Sequence, residues 1–180
     1  MIGNPHVHAP MDAAKRTDSR PFLSSFRAQS VRLREFERLT AAAARGVEAL
    51  SGPDAGLSEK PVVRRSPDRC VIQFGPVALT LAWLRHTLDS AAQGELLVVV
   101  WRGVIASRSI AASDRTTTIC TPIRSATVLW EEVLQAVAVD EPSWLWRPAG
   151  ADIGGYRSAE LAARCVGRLQ LAALDVAEIV

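Results

Sequence analysis

The residues best suited to chemistry in this chain are aromatic and cationic. Trp144 and Trp146 sit two apart, so on a strand they share a face, and Arg147 follows at once. Indoles stack on planar or cationic ligands and on nucleobases. Trp144, Trp146 and Arg147 are therefore the leading ligand candidates, joined by Tyr156, the only tyrosine, in the glycine-rich stretch just beyond. The same tryptophans are also the side chains that best fill a core. His86, between Arg85 and Asp89, has the neighbours that orient a general base, and it is the only histidine outside the first eight residues. A nucleophile for it is lacking: Cys70, Cys120 and Cys165 all lie in apolar stretches, where thiols are buried and inert.

Other chemistries find no scaffold. Glu131-Glu132 and Asp140-Glu141 are adjacent pairs, and adjacent residues on a strand point to opposite faces, so neither makes a shared acid–base dyad. His6 and His8 supply two ligands where a zinc site needs three or four. No GxxxxGK[ST], GxGxxG or GxSxG run occurs, and Lys15 and Lys60 are the only lysines. No catalytic residue, metal site or cofactor is assigned. Basic charge is almost all arginine. Guanidinium is well shaped for phosphate and carboxylate, and Arg27, Arg34, Arg38, Arg64 and Arg65 are the polyanion candidates. The net charge of +2 divides into +3 over residues 12–50 and −1 over residues 51–180. That falls short of the basic stripe of a dedicated nucleic-acid binder.

The elements that must position these residues begin with Glu95–Ala106. This run is apolar at both odd and even positions, so both faces of the strand need cover, and it belongs in the middle of a sheet. Around it, Val62–Arg65 predicts an edge piece, Arg69–Phe74 and Val77–Leu84 predict strands joined at Gly75-Pro76, and Arg115–Thr121 is β-prone. Residues 126–148 combine a helical step (Leu129, Val133, Val137) with a clearer strand–turn–strand pattern centred on Pro142, and the hairpin is preferred.

Two helices flank the sheet. From Ser19 to Leu50 a seam runs through Phe22, Phe26, Gln29, Leu33, Phe36, Thr40, Ala43, Val47 and Leu50. Ser158 is the expected cap of the last helix, whose stripe includes Ala162, Val166, Leu169, Ala173 and Val176. Residues 1–18 read as a flexible tail and 51–61 as a linker before a domain spanning 62–180. The expected fold is α+β: a long N-terminal helix, an antiparallel sheet of about five strands and a C-terminal helix packed on it.

At 180 residues, 48 % of them hydrophobic, the chain can bury a core without staples. An odd number of cysteines without CxxC spacing fits a reducing compartment, and the N-terminus lacks a signal-peptide pattern, so the expected location is the cytoplasm. Apolar runs are too short for a membrane span. The functional expectation is a non-enzymatic interaction module, self-associating or docking to another protein through an apolar sheet face and the helix residues Phe22, Phe26, Leu33 and Phe36. Two alternatives remain: an arginine-mediated binder of nucleic acid or another polyanion, and a small-ligand pocket or enzyme lined by tryptophan and arginine.

Overall fold

A computed structural model describes residues 26–51, 60–85, 94–105, 126–140 and 143–177. Helix α1 spans Phe26–Ala49. Six strands follow: β1 Val62–Ser66, β2 Arg69–Phe74, β3 Val77–Arg85, β4 Gly94–Arg102, β5 Thr127–Asp140 and β6 Ser143–Pro148. Helix α2, Ser158–Ala177, closes the order. The strands form one sheet in the order β1-β2-β3-β4-β5-β6, and every pairing is antiparallel. Each strand pairs with its sequence neighbour, so no crossover is needed and the topology follows from local turns.

The α+β expectation holds, with six strands in place of about five. The apolar run from Glu95 forms β4, interior to the sheet between β3 and β5. It ends at Arg102, short of Ala106, because Gly103 adopts φ 114°, a left-handed conformation that breaks the ladder. The hairpin preferred for 126–148 is present, and its first strand extends well before the Gln135–Val139 run that carries the strand pattern in the sequence. β5 runs fourteen residues, with Val128 and Trp130 paired to Trp101 and Val100 of β4. Cross-strand pairing along β4 outweighs the helical spacing of Leu129, Val133 and Val137.

Alternation divides the sheet into two surfaces. One carries Ile72, Phe74, Leu79, Leu81, Trp83, Leu96, Val98, Val100, Leu134, Trp144 and Trp146. All are buried in a single core with α1 and α2, so both helices lie on this face. Gly94 leaves its space to the Trp83 ring, which a Cβ at that position would strike.

The stripe α1 buries differs from the seam drawn through apolar types. Phe36, Thr40, Ala43 and Val47 are inside, as expected, but Leu33 is 44 % exposed, while Arg32 and Glu35 are almost wholly buried. The charged pair is tolerated because each has a partner: Arg32 Nη1 donates to Asp68 at 2.8 Å and Arg38 Nη1 donates to Glu35 at 2.7 Å. The cap of α2 also moves. Arg157 holds the cap position, its N–H donating to Glu160 Oε2 at 2.9 Å and its carbonyl accepting from Leu161 N–H. Ser158 is already helical and its hydroxyl serves the core. The tail 1–18, the start of the first helix at 19–25, linker residues 52–59, and the β-prone stretch 115–121 lie outside the described residues.

Candidate functional site

The two indoles of Trp144 and Trp146 do share a face, and it is the helix-covered one. With Trp83 they form a three-ring cluster with centroids 5.8 to 6.2 Å apart. Trp146 Nε1 donates to Ser158 Oγ at 3.0 Å, and that hydroxyl donates to Glu35 Oε2 at 2.9 Å. Arg32 stacks over Trp83 at 5.4 Å. This chain of contacts ties β3, β6, α1 and α2 together, and the tryptophans act as core pillars.

Arg147 cannot join them, because it points through the other side of β6, where its Nε donates to the Gly154 carbonyl at 2.9 Å. Tyr156 bridges to Trp146 through backbone bonds and turns its ring to Arg164, 5.3 Å from the guanidinium carbon. Arg164 is held by Glu132 at 3.2 Å and also faces Trp130. The four-residue constellation of Trp144, Trp146, Arg147 and Tyr156 is therefore split between two faces. His86 and Phe22 lie outside the described residues, as does the side chain of Phe26. Phe36 is committed to the chain's own core and cannot meet a partner; Leu33 is exposed.

The arginine candidates are likewise divided. Arg65, on the helix side of β1, reaches the Thr40 carbonyl at 3.5 Å, whereas Arg64 emerges on the opposite face. Arg27 is exposed on α1. Arg34 and Arg38 line a cleft of about 1000 Å³ between α1, the β6 edge and the first turn of α2. Its apolar lining is Ala41, Ala42, Trp144 and Leu145, and its charged lining adds Glu35, Glu37, Arg45, Arg157 and Glu160. Sequence reasoning missed Arg45 and Arg157. The signal was present: Arg34, Arg38 and Arg45 fall on one helical face, and Arg157 directly precedes a helix.

The sheet face turned away from the helices is the second candidate. Register places rows across the strands: Arg64, Val71, Thr80, Val99 and Glu131 in one, and Val62, Gln73, Ala78, Trp101 and Val128 in the next. Trp101 Nε1 donates to Thr80 Oγ1 at 3.1 Å, and the Gln73 amide donates to the Val77 carbonyl and accepts from Ile105 N–H at 2.9 Å. These contacts close the middle of the face, where Ala78, Thr80 and Val99 are buried. Around them Leu97, Trp101 and Val133 are half-buried, and Val62, Leu84 and Val128 are 40 to 45 % exposed.

Cys70 and Cys165 are free, buried thiols, and burial pushes both pKa values up, that of Cys165 to about 12. Among the described residues no three His, Cys, Asp or Glu side chains converge as metal ligands, and no helix is long and apolar enough to cross a membrane. No family model, curated protein or solved structure matches the chain.

Proposed function

We propose that this chain is a non-enzymatic docking module that pairs with a second copy of itself through the sheet face opposite the helices. One observation carries the reading. Both helices pack on the same side, and the other side presents Leu97, Trp101 and Val133 half-buried and Val62, Leu84 and Val128 exposed.

Charge favours a second copy over an unrelated partner. Arg64 on β1 and Glu131 on β5 lie in one row at opposite sides of the face, and both are exposed. A two-fold axis along β3 sets Arg64 of one copy against Glu131 of the other, and Val62 against Val128, so the surface is complementary to itself. The exposed Leu33 of α1 lies on the helix side and takes no part. Two buried free thiols fit a reducing compartment, and the cytoplasm is the location proposed.

Light scattering on size-exclusion fractions tests the pairing. The expected mass is twice the 19.4 kDa of one chain, with Leu97→Arg and Arg64→Glu shifting it to the monomer. The exchange Arg64→Glu with Glu131→Arg is expected to restore the dimer. A wild-type chain that stays monomeric at high concentration overturns the proposal, as does a dimer indifferent to all three variants.

A further inference from the structure

We infer that the cleft between α1 and the first turn of α2 binds a small amphipathic anion: one carboxylate or phosphate group on an apolar body. The inference is independent of self-association, since it concerns a different surface. Its charges are sorted by use. Glu35 is already taken by Arg38 at 2.7 Å and by the Ser158 hydroxyl at 2.9 Å, and Glu160 accepts the Arg157 N–H. Arg45 and Arg157 are exposed, and neither has an ion-pair partner among the described residues. The lining as a whole sets Arg34, Arg38, Arg45 and Arg157 against Glu35, Glu37 and Glu160, a net charge of +1, and the guanidinium groups of Arg45 and Arg157 are the uncommitted ones.

The remaining features point the same way. The opening turn of the twenty-residue α2 forms one wall, and a helix N-terminus directs N–H groups and positive potential at an anion. Ala41, Ala42, Trp144 and Leu145 supply apolar surface for the body of the ligand. Trp144 is 2 % exposed, and its indole N–H is the one buried side-chain polar group without a hydrogen-bond partner among the described residues. Such a donor carries the cost of an unmade bond. A volume of about 1000 Å³ is ample for a molecule with a short chain or a ring.

Calorimetric titration of the full chain at low salt tests the inference, with octanoate, octyl phosphate and octyltrimethylammonium as probes. Saturable binding of one copy of octanoate or octyl phosphate per chain is expected, without binding of the cation. The two anions separate a carboxylate site from a phosphate site. Arg45→Gln with Arg157→Gln is expected to weaken binding by about tenfold or more, while Lys60→Gln, outside the cleft, leaves it unchanged. The inference is overturned if neither anion binds at millimolar concentration, if the cation binds equally well, or if the double arginine variant retains full affinity with its fold intact by circular dichroism.

Discussion

The two faces of this sheet are made by the same strands and behave as different materials. On the helix side, Leu81, Leu96, Val98, Leu134 and Trp146 have no solvent exposure, and the Trp146 indole N–H is tied through Ser158 to Glu35. On the other side, a buried middle is ringed by half-covered Leu97, Trp101 and Val133 and exposed Val62, Leu84 and Val128, and Arg64 and Glu131 stand among them. Alternation along a strand lets one element serve two surfaces independently. Stability is concentrated on one and binding capacity on the other.

The largest effect that would break this comparison is in the tryptophans. Trp146→Ala is expected to cost about 3–5 kcal/mol in urea unfolding, because it opens a cavity among Trp83, Trp144 and α2. Trp101→Ala on the open face is expected to cost less than half as much; equal losses would mean that the two faces are equally structural. Ser158→Ala comes next, at about 1–3 kcal/mol, since it strands the Trp146 N–H and removes a bond from buried Glu35.

The buried thiols sharpen the comparison through pH. The pKa of Cys165 is raised in the folded chain to about 12 from an ordinary 9.0, so its neutral form favours folding fully below pH 9 and that contribution is lost as pH rises toward 12. Stability is expected to fall by about 2 kcal/mol by pH 10.5 relative to a Cys165→Val variant, measured by urea midpoints across the alkaline range. The smallest folding effect is at the open face: Arg64→Glu is expected to move unfolding by less than about 0.5 kcal/mol while abolishing the dimer in light scattering.

Strand positions were legible because they rest on local information. Gly75-Pro76 marks one turn, alternation marks β2 and β3, and the run from Glu95 is too apolar for an edge. The burial of Arg32 and Glu35 was not legible, because their partners Asp68 and Ser158 lie 36 and 123 residues away. The candidate residues show the same limit. Trp144, Arg34 and Arg38 were named individually, yet the first was grouped with Arg147, which lies through the strand from it, and only the fold sets it beside the two arginines.

Residue order alone determined that β4 must be interior, that the thiols Cys70 and Cys165 belong to apolar stretches, and that the sheet is antiparallel and flanked by two helices. Only tertiary structure decided that α1 and α2 share one face, which charges are buried, and that Arg45 and Arg157 meet at a cleft. The reason is physical: alternation, turn chemistry and helical periodicity act over a few residues, whereas the side of a sheet on which a helix lands depends on packing between segments far apart in the chain.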